Sequence, residues 1–244
     1  MSPADPQFAS AIASEWLRRV QAEYTSAART HVFTHWLIQL GASPDLIRAG
    51  LRIVDDELAH AELSHAVVVE AKGSPASPSL AQENLTLERR HDKLLTDVLR
   101  RCVEIFCLGE TVAVPLFSEM RKRCEVPVAR AALDRILVDE VRHRDFGWTT
   151  LTWLVETHGA HAREGVEALL PAAFRRVQRN YSSTSEPTAD AAREAELGKW
   201  GLIPASLYSD ILARCAERDY FPRFERLDLQ ARGAWEAALE AEAQ

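Results

Sequence analysis

Glycine and proline are scarce in this chain, 10 and 11 of 244 residues, and strand-like alternating runs are few, which argues against a sheet protein built on frequent turns. No run approaches the roughly 18 uncharged apolar residues of a membrane span, so no membrane association is expected. The N-terminus, Met1-Ser2-Pro3-Ala4-Asp5-Pro6, lacks the basic and apolar regions of a signal peptide, and a cytoplasmic location is expected. Only four cysteines occur, Cys102, Cys107, Cys124 and Cys215. None forms a Cys-x-x-Cys pair, so they read as free thiols and not as a disulfide framework or thiolate metal site. Excess positive charge is also absent: the formal net charge is -7, which gives no broad attraction to nucleic acid. No motif for flavin, nicotinamide or haem attachment is present.

What is present is abundant Ala, Leu, Glu and Arg, with 47% hydrophobic residues, enough to fill one long helical core. Within this all-α background one pattern occurs twice, as Asp56-Glu57-Leu58-Ala59-His60 and Asp139-Glu140-Val141-Arg142-His143. Residues three apart lie on one helix face, so each Glu and His can chelate a common point. A Glu-x-x-His from each of two helices and a single Glu from each of two others make a two-metal site inside a four-helix bundle.

The rest of the chain supplies those partners. A first helix is expected from about Pro6 to Leu40, with Ile12, Trp16, Val20, Ala27 and Thr34 recurring on its inner face. Glu23 lies on that stripe, where a lone carboxylate is costly unless paired, protonated or bound to metal. Gly41 and then Ser43-Pro44-Asp45 mark a tight helix hairpin. The second helix, about Pro44 to Lys72, carries Ile53, Glu57, His60, Ser64 and Val68 inward. Glu62 with His65 is a competing pair, ranked second because it lacks the preceding Asp and lies about 140° round the helix from Glu57.

A linker from Gly73 to about Asn84 can span roughly 40 Å when extended, enough for a long crossover to a parallel third helix. That helix, about Leu85 to Cys124, presents Val103, Phe106, Glu110, Val114 and Phe117. Pro115, five residues beyond Glu110, is expected to bend or bulge it and open room for substrate. After a turn at Val126-Pro127 the fourth helix, to about His158, presents Leu133, Ile136, Glu140, His143, Gly147 and Leu151. Glu110 and Glu140 are equally far from that turn, so an antiparallel hairpin brings them level.

The ligand set is therefore Glu23, Glu57, His60, Glu110, Glu140 and His143. With this order, Glu, Glu-x-x-His, Glu, Glu-x-x-His, the chain resembles the ferritin-like superfamily of carboxylate-bridged di-iron proteins, which includes bacterioferritin, rubrerythrin and the di-iron oxygenases, over about residues 7 to 158. The resemblance implies a ferritin-like four-helix bundle with a long crossover between helices 2 and 3. It also implies two iron ions, with manganese or a mixed pair as the alternative. Glu23 and one further Glu would be terminal ligands, Glu57 and Glu140 bridges, and His60 and His143 one on each metal. Asp56 and Asp139 would accept the imidazole N–H groups.

Residues 1–160 are thus read as the bundle and 161–244 as a helical extension packed on it within the same domain. The extension comprises a helix from about His161 to Tyr181, a Ser182–Pro187 loop, and a helical region from about Thr188 that is interrupted at Gly198–Pro204 and stopped near Pro222. Its apolar face is Leu207, Ile211, Leu212 and Phe221. The expected function is an O2-activating oxidase or oxygenase acting on a small organic substrate, with an external electron donor and a homodimeric assembly. A ferroxidase and a non-redox helical interaction module are the alternatives.

Overall fold

The computed structural model describes residues 4–72, 80–181 and 191–242, and these are helical with no strand among them. The helices are α1 (Pro6–Gln39), α2 (Pro44–Glu70), α3 (Leu94–Arg101), α4 (Thr111–Arg123), α5 (Pro127–Tyr181), α6 (Ala191–Lys199), α7 (Ser206–Cys215), α8 (Phe221–Glu225) and α9 (Ala231–Glu242). A π-helical stretch, Cys102–Glu110, joins α3 to α4, and a second, Ala216–Tyr220, joins α7 to α8. In α5, Gly159 adopts φ 56°, ψ -134°. It is a kink that separates a fourth from a fifth helix near the expected boundary, at a conformation glycine tolerates without strain.

The chain packs as two compact units. The first comprises Met1–Glu88, Phe117–Asp139 and Pro187–Pro204. Here α1 and α2 form the expected hairpin: Gly41 takes φ 78°, Ser43 Oγ accepts from Leu46 N at 3.3 Å, and Pro44 sits in the first turn where no N–H is needed. Ile12, Trp16, Val20, Phe33 and Leu37 of α1 and Ile53, Val67 and Val68 of α2 are buried. The turn before α5 is pinned by Glu125 and Val126, whose N–H groups donate to Lys199 O at 2.8 and 3.0 Å. Trp16 Nε1 donates to Trp200 O at 3.1 Å.

The second unit comprises Arg89–Leu116, Glu140–Glu186 and Ala205–Gln244. Its core is aromatic: Phe174 packs edge-on against Phe224 and Trp235, and Trp148 against Phe224. Ile211, Leu212 and Phe221 are buried and Leu207 is half-buried, so the apolar face expected of the C-terminal region is used inside this unit.

Three expectations change. The third helix starts at Leu94, not Leu85, because the buried Asp97 carboxylate accepts from the backbone N–H of Arg90 and His91 at 3.1 and 3.2 Å and holds that segment as a folded loop. The third helix's inner stripe does not continue as Glu110, Val114, Phe117: Val114 and Phe117 are half-buried, and Val112, Leu116 and Met120 are buried instead. A π stretch places more residues in each turn and so shifts every later residue round the helix. Pro222 does not stop the helical region, which runs to Glu225, with a π stretch immediately upstream as there is upstream of Pro115. Finally, the 182–187 loop, most of the 73–84 linker and the start of the region from Thr188 lie outside the described residues.

Candidate metal centre

Regular helix geometry brings the first three residues inward. Glu23, on α1, is 7% exposed, and Glu57 and His60, on α2, are 1% and 0% exposed. Burial raises the Glu23 carboxyl well above its ordinary range, and the adjacent Glu57 carboxylate, with which it shares a hydrogen bond, raises it further. Ser26 Oγ, one turn beyond Glu23, donates to Glu57 Oε1 at 2.7 Å.

His60 is oriented through its Nε2 nitrogen. Nε2 lies 3.1 Å from Asp139 Oδ2, and Nδ1 lies 3.5 Å from Glu57 Oε2. A carboxylate only accepts, so Nε2 carries the proton and Nδ1 presents its lone pair toward the carboxylates. Asp139 is itself held by Arg135 Nε at 2.5 Å, and Arg135 Nη2 reaches Asp56 Oδ1 at 3.2 Å. One guanidinium thus ties together the two Asp residues that precede the two Glu-x-x-His motifs.

Glu140 and His143, 2% and 0% exposed, sit one turn apart on α5 with Nδ1 3.9 Å from Glu140 Oε2. Glu110, 9% exposed, is the last residue of the π stretch. That stretch is buttressed on three sides. Tyr220 Oη donates to Leu108 O at 2.7 Å, Trp148 Nε1 donates to Thr111 Oγ1 at 2.9 Å, and Phe106 lies against Gly147 so closely that an added Cβ would come within 2.6 Å of it. Tyr181, at the end of α5, has its phenol raised first by burial and then by the negative charges of Glu110 and other neighbours.

Two groups of potential ligands result. In the first unit Glu23, Glu57 and His60 each offer an atom within 4.8 Å of the others, and in the second unit Glu110 and His143 do the same. Glu62 and His65, the competing pair, belong to neither. With Val20, Tyr24, Leu58, Ala61 and Leu80 they line a cleft of about 560 Å³ on the α1–α2 hairpin.

The donor set fits a metal pair. Oxygen and imidazole nitrogen together suit iron or manganese better than magnesium or calcium. A divalent cation would also offset the cost of burying Glu23 and Glu57 side by side. Ser26, Arg135 and Tyr181 were not anticipated from sequence. Ser26 follows Glu23 by three and Arg135 precedes Asp139 by four, so helical spacing held a signal for both. Tyr181 is 41 residues along the chain from Glu140 and carried none.

No protein-family model, curated protein or solved structure matches this chain.

Proposed function

We propose that this protein is a ferritin-like, carboxylate-bridged di-metal oxidoreductase that binds two iron ions and oxidises a small organic substrate with O2. The observation that carries the proposal is that each unit buries its own carboxylate and imidazole donors within 4.8 Å of one another, Glu23, Glu57 and His60 in the first and Glu110 and His143 in the second, the residue types that a carboxylate-bridged metal pair requires. When bound, the iron pair would supply the redox chemistry for reducing O2. The chain's own residues prepare the site. Asp139 holds the proton on Nε2 of His60, Ser26 fixes one oxygen of Glu57, and Arg135 pairs with both motif aspartates. His60 and His143 are fully buried, so bulk water is kept from the ligand atoms. The cleft on the α1–α2 hairpin, lined by Val20, Tyr24, Leu58, Ala61 and Leu80 together with Glu62 and His65, has the mixed apolar and polar lining that a small organic substrate would use.

The test begins with metal content. Anaerobic Fe(II) addition should load about two irons per chain, and Glu57→Ala and Glu140→Ala should each empty or cripple the site while keeping the helical circular dichroism. Unchanged stoichiometry in both variants would sink the assignment, and loss of metal in Glu62→Ala would move the site along α2. Oxygen uptake is then measured beside particle size. The proposal expects uptake that an added small molecule and an electron donor accelerate. Iron oxidation continuing far past two per chain, with a soluble mineral in a large shell, would replace it with a storage ferroxidase.

A further inference from the structure

We propose that Arg100, Arg101 and Arg176 form a binding site for a phosphoryl-type oxyanion, independent of the metal centre. The site lies where α3 runs into the π stretch, opposite the last part of α5. Arg101 is 9% exposed and the Arg100 side chain is 14% exposed, unusually deep for residues that normally carry their charge to water. Arg100 Nε and Nη2 and Arg101 Nε are buried and make no hydrogen bond. A guanidinium buried with donors unused is strongly unfavourable unless something absent from the bare chain accepts from them.

The local carboxylates do not fill that role. Asp97 Oδ1 and Oδ2 already accept from Arg90 N, His91 N and His91 Nδ1 at 2.8 to 3.2 Å. Arg89 Nε and Arg100 Nη2 are left at 3.7 and 3.8 Å from Asp97, beyond hydrogen-bond distance. One oxygen of Glu104, Oε2, serves both Arg101 Nη1 at 3.2 Å and Arg176 Nη1 at 3.6 Å. Four guanidinium groups therefore share two carboxylates, one of which is saturated by backbone and imidazole.

The electrostatics agree with this geometry. The Arg101 guanidinium is lowered from its ordinary range first by burial and then by Arg100, with Arg176 and Arg90 acting in the same direction and Glu104 opposing them. Cations that repel one another in a poorly hydrated place are relieved by a bound anion. More than one positive charge is left over, and unused N–H groups come from two adjacent arginines. Both facts favour a dianionic phosphoryl group with three terminal oxygens over a singly charged carboxylate. Arg176, half exposed, keeps the site open to solvent, so the phosphoryl group can belong to a soluble phosphate or to a lipid headgroup.

Inorganic phosphate, glycerol 3-phosphate, acetate and sodium chloride at matched ionic strength would be titrated into the purified chain, with melting temperature and calorimetric heat as readouts. Sedimentation with phosphatidylglycerol and phosphatidylcholine vesicles forms the lipid arm. The expected result is a saturable response to phosphate or its monoester that acetate and chloride do not reproduce. Arg100→Gln and Arg176→Gln should each weaken it by about tenfold or more. Arg176 is half exposed, so that variant should fold normally, and an unchanged melt without ligand confirms it. Response only to phosphatidylglycerol vesicles, lost in the same variants, assigns the phosphoryl group to lipid. Equal responses to phosphate and chloride, or wild-type binding by both variants, would overturn the proposal.

Discussion

Because Asp139 Oδ2 takes the Nε2–H of His60 at 3.1 Å, the imidazole has only Nδ1 left for a metal, and the aspartate is as much a part of the site as the histidine. Asp139→Asn replaces an obligate acceptor by an amide that can present either end. Iron affinity should fall about 10- to 100-fold, read by competition against a chelator of known affinity; an unaltered affinity would show the contact to be incidental. Glu23 makes a separate prediction for the metal-free protein. Its folded-state carboxyl is raised above the ordinary value of 4.5, so the folded chain binds more protons than the unfolded one from about pH 4.5 upward. Stability from this group is therefore present at low pH and lost as pH rises through the folded value. Glu23→Gln, permanently neutral, should be more stable than the wild type at pH 8, and the difference should close toward pH 4.5. Parallel denaturation curves of the two proteins at all pH values would contradict the burial argument.

The element that sets this site apart from a regular bundle helix is the Cys102–Glu110 π stretch, which ends on a candidate ligand and lies just upstream of Pro115. Proline has no N–H to return to the carbonyls one turn back, so the backbone pairing there is already broken. The π stretch is supported by neighbours from far along the chain: Tyr220 donates to the Leu108 carbonyl, and Gly147 leaves the space that Phe106 occupies. Gly147→Ala would place a methyl 2.6 Å from Phe106 Cβ and 2.8 Å from its backbone carbon, and should cost about 1–3 kcal/mol by overpacking. Tyr220→Phe removes one of two donors to the Leu108 carbonyl, which also accepts from Thr111 N, and should cost about 0.5–1.5 kcal/mol. Both should also weaken the metal nearest Glu110 more than the other. Gly233→Ala, in α9 with open space around it, is the contrast: it should stabilise by up to about 1 kcal/mol through helix propensity. Urea melts of the three variants would decide this, and equal effects from Gly147 and Gly233 would refute the packing account.

For the molecule as a whole, a metal pair that binds only the folded chain is a stability term. At a free metal concentration of 100 Kd each site contributes about 2.7 kcal/mol, and for a chain of this length each kcal/mol moves the melting temperature by about 2–4 °C. Chelation of the iron-loaded protein should therefore lower the melting temperature by roughly 5–10 °C per site. Glu57→Ala, which removes a buried carboxylate of the candidate site, should abolish that difference. A wild-type melt indifferent to iron would argue that the carboxylates are held by protons and arginine alone.

Taken by itself, the sequence determined what depends on local spacing. The α1–α2 hairpin follows from Gly41, Ser43 and Pro44, whose effects are confined to one turn of backbone. The inward placement of Glu23, Glu57, His60, Glu140 and His143 follows from a 3.6-residue period that held in α1, α2 and α5. Where that period failed, in the π stretch, the predicted Val114–Phe117 stripe failed with it, because a change in residues per turn is made by backbone strain and tertiary support and leaves no mark in apolar spacing. Tertiary structure alone decided which aspartate orients His60, 79 residues away along the chain, and that Tyr220 would close a carbonyl 112 residues before it. Such contacts obey no sequence interval, since two groups at that separation meet only after the helices between them have packed.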